Sequence, residues 1–373
     1  MEKSWQVKKL GEICDIKTGK KDVNQGNPHG KYPFFTCAKE HTFSDGYSFD
    51  TEALLVAGNG DVGSVSYYKG KFEAYQRTYV LSNFSGILPR LLYLYLDGFL
   101  KEAVSKQKLG NTMPYIKLGM LTEFEIPVPP LAEQKKIAKK LDEVFEGVAK
   151  ARELAEKNLK NSRELFESYL QSIFTDPGKD WEENNMGEFA TLQYGYTGKA
   201  KKEGLYRYIR ISDTRKDGLV KEKNKVYLDD FNSSDNYILN NEDLLTARIG
   251  ASAGKVLFFT EDEKSIFASY LIRIHFNNKF ENKFYWYFSK TRFYWDQVRQ
   301  LSAGAAQPQF NGNALKHILF LHPKSLSEQK AIVKKLDALS TETKKLEAIY
   351  KQKLADLEEL KKSILKQAFA GEL

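Results

Sequence analysis

The sequence predicts an α+β protein with an internal pseudo-two-fold repeat: two β-rich globular domains joined by two long antiparallel coiled-coil helices. Three observations lead there. Blocks of sequence recur at offsets of 176 to 195 residues, and two stretches of about 40 residues each carry an apolar heptad. The blocks before those stretches are rich in β-branched and aromatic residues with scattered glycines. The predicted parts are a first domain over 1–130, a first helix over 131–176, a second domain over 177–325 and a second helix over 326–373. A length of 373 residues, 42% of them hydrophobic, is enough for two buried cores. The net charge of +8 lies largely in the two globular blocks and favours an anionic partner.

The repeat is visible residue by residue. Trp5 and Trp181 lie 176 apart, and that offset aligns Leu10-Gly11-Glu12-Ile13 with Met186-Gly187-Glu188-Phe189, Gly19 with Gly195 and Tyr32 with Tyr208. At offset 190, Leu54-Leu55-Val56-Ala57 matches Leu244-Leu245-Thr246-Ala247, and Gly60 matches Gly250. At offset 195, Leu131-Ala132-Glu133-Gln134-Lys135 matches Leu326-Ser327-Glu328-Gln329-Lys330, and the offset then holds through Phe174 and Phe369. Loops in the globular blocks have gained residues while the helices have not.

In the first domain, Tyr32–Thr36 reads as a strand and Leu91–Ser105 as a helix. Between them, Gly58, Gly60 and Gly63 in "LLVAGNGDVGSVSYY" match a dinucleotide fingerprint. That fingerprint needs a helix after the glycines to hold the pyrophosphate. Ser64-Val65-Ser66-Tyr67-Tyr68 is β-branched and aromatic instead, so the stretch predicts a strand–turn–strand. In the second domain Tyr206–Ser212, Lys255–Thr260 and Tyr270–Phe276 read as strands and Phe284–Leu301 as helical. Trp286 and Trp295, with Tyr285, Tyr287 and Phe288, read as core.

The long helices follow an unbroken 4-3-4-3 spacing. In the first, the seam is Ile137, Leu141, Val144, Val148, Ala151, Ala155, Asn158, Ser162, Leu165 and Tyr169. In the second it is Ile332, Leu336, Leu339, Thr343, Leu346, Tyr350, Lys353, Leu357, Leu360 and Ile364. Pro129-Pro130 and Pro323 mark the starts, and Thr175-Asp176-Pro177-Gly178 ends the first. Each is roughly 60 Å long at 1.5 Å per residue.

Several chemistries lack their residues. Cys14 and Cys37 make no disulfide framework, no Cys/His cluster has zinc spacing, and no metal ligands are assigned. The most apolar stretch, Gly86 to Leu100, is too short to span a bilayer, and Met1-Glu2-Lys3-Ser4-Trp5 is unlike a signal peptide, so a cytoplasmic protein is expected. Val128-Pro129-Pro130-Leu131 lacks the polar and aromatic ends of an amino-methyltransferase motif, and no Walker A loop occurs. Glu-x-Lys, a fragment of many nuclease sites, appears among other places at Glu133, Glu281 and Glu328, as chance supplies in a chain with 57 basic and 49 acidic residues. No catalytic residues are assigned.

The repeated strings "IPVPPLAEQKKIAKKLD" (Ile126 to Asp142) and "LFLHPKSLSEQKAIVKKLD" (Leu319 to Asp337), with the closing "YLQSIFT" and "LKQAFAGEL", resemble the specificity subunits of Type I restriction–modification enzymes. The resemblance covers essentially the whole chain, and the duplicated apolar-Pro-x-x-x-Leu-x-Glu-Gln-Lys-x-Ile signature is highly specific. It implies two target recognition domains, each reading one half of a split, asymmetric site in double-stranded DNA. It also implies spacer helices that set the gap and dock two methyltransferase (modification) subunits, with a motor-endonuclease (restriction) subunit joining them. The chain itself would be non-catalytic, in a prokaryotic cytoplasm. S-adenosylmethionine, ATP and Mg²⁺ would belong to the partners, with no cofactor in this chain. One departure from the family pattern is that the first recognition block begins almost at Met1.

Base edges are read by Arg, Lys, Asn and Gln, and phosphates by Lys, Arg, Ser and Thr. The candidates in the first domain are Lys20, Lys21, Asn24, Lys39, Asn59, Arg77, Lys106, Lys108, Asn111 and Thr112. In the second they are Lys199, Lys201, Lys202, Arg210, Arg215, Lys216, Arg248, Ser252, Arg299, Gln307, Gln309 and Asn311. The bland reading of each lysine is a solvated surface charge. The competing functions are a self-contained DNA methyltransferase or nuclease, which would turn over without partners, and a coiled-coil adaptor, which would show no salt-dependent preference for a cognate duplex.

Overall fold

The structure, a computed structural model, describes residues 5–105, 114–229, 235–277, 280–302 and 309–373. The chain divides into a first unit, Met1–Lys157 with Tyr350–Leu373, and a second, Asn158–Ile349. The first holds, in order, β1 (Gln6–Lys9), α1 (Leu10–Ile13), β2 (Asp15–Thr18), β3 (Tyr32–Phe35), β4 (Thr42–Ser44), β5 (Phe49–Ala57), β6 (Val65–Ala74) and β7 (Thr78–Ser82). Then come α2 (Pro89–Ser105), α3 (Leu118–Thr122), β8 (Glu125–Val128) and the start of α4 (Leu131–Thr175). The sheet order is β2-β7-β5-β6-β3-β4, and β1 pairs antiparallel with β8. Alternate side chains of β5 face opposite ways, as the pleat requires. Leu54 and Val56 pack with Leu92, Leu96 and Val104 of α2, whereas Ala53 and Leu55 pack with Phe35, Phe72 and Val80.

The second unit repeats this plan. It contains β9 (Trp181–Asn185), α5 (Met186–Phe189), β10 (Ala190–Tyr194), β11 (Tyr206–Ile209), β12 (Tyr227–Leu228), β13 (Leu244–Ala247), β14 (Val256–Phe258), β15 (Ser265–Phe267) and β16 (Leu271–Phe276). It continues with α6 (Asn282–Phe288), α7 (Arg292–Leu301), α8 (Gly312–Lys316), β17 (Leu319–Pro323) and the start of α9 (Leu326–Phe369). Sheet β10-β16-β13-β14 matches β2-β7-β5-β6, and β17–β9 matches β8–β1. The difference is a break. Unlike the ten-residue β6, its counterpart is split by Phe259–Lys264 into β14 and β15, so β12-β11-β15 forms a separate sheet. Glu261 in that insertion accepts a bond of 3.0 Å from the buried guanidinium of Arg207.

Three expected elements are cut short or divided, the strand expected over Lys255–Thr260 being reduced to Val256–Phe258. The strand expected over Tyr206–Ser212 ends at Ile209, because the Asp213 carboxylate draws Arg210 into a tight turn through the backbone N–H (2.9 Å) and side chain. The helical stretch Phe284–Leu301 is two helices, since the buried Thr291 leaves helical geometry to cap α7 at the Tyr294 N–H. The expected core aromatics Tyr285, Trp286, Tyr287 and Phe288 are buried, and Trp295 packs against the same cluster.

The long helices pack antiparallel in each unit. In the first, Ile137, Ala138 and Leu141 of α4 meet Leu365 and Ala368 of α9, and in the second, Leu170 and Phe174 of α4 share a core with Val333 and Leu336 of α9. Arg152 pairs with Glu358 within the first unit, and Arg163 donates to Glu347 at 3.2 Å within the second. The strict heptad needs correction at five positions: Leu165, Tyr169, Leu346, Lys353 and Leu360 are exposed. A straight helix drifts about 20° per heptad, so over about 4.5 heptads the inward face moves by nearly one residue. Past Ser162 the inward residues are Phe166, Leu170 and Phe174, and near the end of α9 they are Leu365 and Ala368. The polar seam residues Ser162 and Thr343 are buried, and their hydroxyls donate to Leu159 O (2.8 Å) and Leu339 O (2.9 Å).

Candidate nucleic-acid interface

The duplicated Glu-Gln signature serves to fasten each domain to its helix. The Trp5 indole N–H donates to Glu133 at 3.2 Å, and Trp181 donates to Glu328 at 3.0 Å. One residue on, the buried Gln134 accepts from Leu88 N (2.7 Å) and donates to Gly86 O and Pro129 O (both 2.8 Å). Gln329, also buried, accepts from Glu281 N (3.0 Å) and donates to Pro323 O (2.9 Å). The closing aspartates complete the link. Asp142 accepts from Arg90 of α2 at 2.6 Å, and Asp337 accepts from Lys283 (2.7 Å) and Tyr287 (2.5 Å) of α6. The Asp142 carboxylate raises the pKa of Arg90 through that bond. In the Glu-x-Lys strings at Glu133 and Glu328, therefore, the glutamate anchors a tryptophan.

The glycine stretch is the predicted strand–turn–strand, joining β5 to β6, and Gly250 to Gly254 join β13 to β14. Gly60 (φ +61°) and Gly63 (φ +79°) are left-handed, as are Gly250 (+72°) and Gly254 (+86°). That region strains any residue with a Cβ. A Cβ on Gly63 would also lie 2.7 Å from Val104 Cγ2 of α2, and one on Gly254 would strike Val298 of α7. Each turn is thus pressed against a helix of its own domain.

The backbone at the turns is duplicated bond for bond. The Gly58 N–H donates to Arg77 O at 3.0 Å while Gly58 O accepts from Ile116 N at 2.9 Å. The Arg248 N–H donates to Tyr270 O at 3.0 Å while Arg248 O accepts from Phe310 N at 2.8 Å. Asn59 bridges Tyr115 as Ile249 bridges Gln309. The side chains on this frame differ. In the first unit a cleft of about 540 Å³ opens beside Gly58, lined among others by Gln76, Arg77, Tyr79, Tyr115 and Lys117. In the second, the Arg248 guanidinium lies 5.3 Å from the Tyr194 ring centre and 5.5 Å from that of Tyr270, with Nε donating to Ser269 O at 2.9 Å.

The structure thus gathers Asn59 and Arg77 at the first turn, and Arg248, Ser252, Gln309 and Asn311 at the second. Asn59 is buried, and Asn311 also caps α8 through Ala314 N at 3.0 Å. Other candidates are occupied elsewhere. Lys21 turns inward to Ser44 (3.0 Å) and the buried Glu73 (3.2 Å). Arg210 is held by Asp213, which raises its pKa, and Arg215 by Asp217 at 2.7 Å. Lys201 pairs with Asp229 and Arg299 with Asp296. Lys20, Asn24, Lys39, Lys199, Lys202 and Lys216 are exposed, while Lys106, Lys108, Asn111, Thr112 and Gln307 lie outside the described residues. Sequence reasoning missed Gln76, Tyr115, Lys117, Tyr194 and Tyr270, which reach the turns only through the pairing of distant segments. Among the described residues no group of three His, Cys, Asp or Glu side chains could hold a metal ion, and no helix is long and apolar enough to cross a membrane.

A duplicated α+β frame with the same turn twice and different residues on its rim defines a class of internally repeated proteins with two related globular units. The chain belongs to the Type I restriction modification DNA specificity domain family, whose model matches residues 2–157 and 178–358. Such specificity subunits are non-catalytic members of their complexes, which excludes the self-contained methyltransferase or nuclease. The chain is 27% identical over 99% of its length to the Type I restriction enzyme EcoDI specificity subunit of Escherichia coli, covering 88% of that protein. It is 23% identical over 99% of its length to the MjaVIII specificity subunit of Methanocaldococcus jannaschii, covering 93% of it. Its fold matches a solved chain from work on complex assembly and conformational transition of the type I R-M system, with TM-score 0.78, 18% identity and coverage of 100% of this chain and 99% of that one. It also matches the HsdS subunit from Thermoanaerobacter tengcongensis, with TM-score 0.60, 18% identity and coverage of 100% and 98%.

Proposed function

We propose that residues 1–130 and 177–325 are two non-identical recognition domains, each reading one half of a bipartite, asymmetric DNA site, and that α4 and α9 set the interval between the halves. The observation that supports this best is the repeated turn: one backbone frame carries Gly58 beside an open cleft in one unit and a clamped Arg248 in the other. Equal frames with unequal rims suit two half-sites of different sequence on a pseudo-two-fold duplex.

The helices also present matched apolar residues to solvent. Leu154 (60% exposed) and Ile349 (58%) are 195 apart, as are Leu165 (52%) and Leu360 (45%). Two copies of one methyltransferase subunit would each meet the same pair of features, and a motor-endonuclease subunit would complete the restriction enzyme. S-adenosylmethionine, ATP and Mg²⁺ belong to those partners, in a prokaryotic cytoplasm.

The test is methylome mapping in cells that supply the partner subunits. Exchanging residues 1–130 for the corresponding block of another family member changes one half-site and leaves the other half and the gap intact. A change in both halves would show that the two blocks do not read separately.

A further inference from the structure

The two turns differ by an exchange of side chains between equivalent places. Pairing β5 with β7 sets Ala57 opposite Thr78, and pairing β13 with β16 sets Ala247 opposite Leu271. Arg77 and Tyr270, one residue earlier, are therefore counterparts. Thr18 lies opposite Tyr79, and Tyr194 opposite Ile272, so Thr18 and Tyr194 correspond too. Where the first unit has Gly58, Arg77 and Thr18, the second has Arg248, Tyr270 and Tyr194.

The exchange produces a fixed arginine. Tyr194 and Tyr270 flank its guanidinium, and Nε is tied to Ser269 O at 2.9 Å. Tyr194 is itself fixed, since its hydroxyl accepts from Gly312 N at 2.9 Å. Tyr194 and Tyr270 remain about half exposed, at 44% and 51%, so the arrangement lies at the surface. Among the described residues no acceptor takes the terminal Nη groups. A guanidinium so held offers one edge with two parallel N–H donors. A phosphate also accepts such a fork, but it does so on any sequence. A fork fixed on a frame whose rim differs between the two units suits a contact that carries sequence. In the major groove only guanine sets two acceptors, O6 and N7, side by side for that fork.

Resting on the reading above, we propose that Arg248 is a specificity-determining residue that recognises a guanine in the half-site read by the second unit. The experiment uses the full chain assembled with its methyltransferase partners. Duplexes carry the mapped target, with each base pair of both half-sites replaced in turn, and binding is measured over a salt series. Wild type discriminates at every recognised pair. Arg248→Ala and Arg248→Lys bind the parent duplex roughly five- to 150-fold more weakly. Both lose discrimination at one G·C pair of one half-site and keep it at the others. Tyr270→Leu, which frees one face of the guanidinium, weakens discrimination at that same pair without altering the salt slope.

Intact discrimination in the other half-site shows that the variants are folded. Should a variant lose both halves, Tyr270→Leu, an exposed change, decides alone, and unchanged discrimination in it overturns the proposal. So does a uniform loss on every duplex with a salt slope smaller by about 1 in Arg248→Ala and restored in Arg248→Lys, the pattern of a phosphate contact. Unaltered discrimination in both Arg248 variants likewise overturns it. A wild-type complex without any preferred sequence would instead sink the two-reader function itself.

Discussion

At the scale of single residues, the most informative side chains are the paired glutamines, because they show what a short signature is for. Gln134 and Gln329 are almost fully buried, and each joins the start of a long helix to the segment that precedes α2 or α6 and to the chain leaving its domain. Cutting one back strands backbone groups away from water, which costs about 1–3 kcal/mol. Gln134→Ala and Gln329→Ala are each expected to lower unfolding free energy by about that amount in urea titrations. Lys135→Ala, an exposed neighbour in the same string, is expected to change it by under about 0.5 kcal/mol. Equal effects at Gln134 and Lys135 would contradict the fastening role.

At the scale of elements, the turns rank their own glycines. Gly250 and Gly254 share a left-handed backbone, but a Cβ on Gly250 meets open space whereas one on Gly254 strikes Val298. Gly250→Ala is expected to cost about 1 kcal/mol from the backbone alone. Gly254→Ala is expected to cost about 1–3 kcal/mol, with the lower melting temperature of the two by calorimetry. The turn itself was legible, because a β-branched and aromatic run after glycines cannot be a helix start. The long helices were legible from period and repetition. The last turns of the seam were not, since a sequence heptad counts 3.5 residues per turn and the helix keeps nearer 3.6. The Thr291 break between α6 and α7 escaped notice because its cause, a buried cap, is a tertiary contact. The aromatic clamp on Arg248 was hidden for a similar reason: Tyr194 and Tyr270 are far apart in sequence and meet only through strand pairing.

At the scale of the whole molecule, the two-reader function makes the helices a ruler. Seven residues inserted into both α4 and α9 at paired levels keep the inward face and add about 10.5 Å at 1.5 Å per residue. The gap in the recognised sequence is expected to grow by about three base pairs at 3.4 Å each, with both half-sites unchanged in methylome maps. Altered half-site bases would refute the division between readers and ruler. The order of synthesis adds a constraint of its own. The first unit takes Leu365 and Ala368, in the last turns of α9, into contact with Leu91, Leu94, Ile137 and Leu141. A domain whose strands and α2 are made early therefore waits for the far end of α9, translated long after them, before its apolar surface closes. A polypeptide cut short before Leu365 keeps that surface open, and exposed apolar surface of that kind invites aggregation.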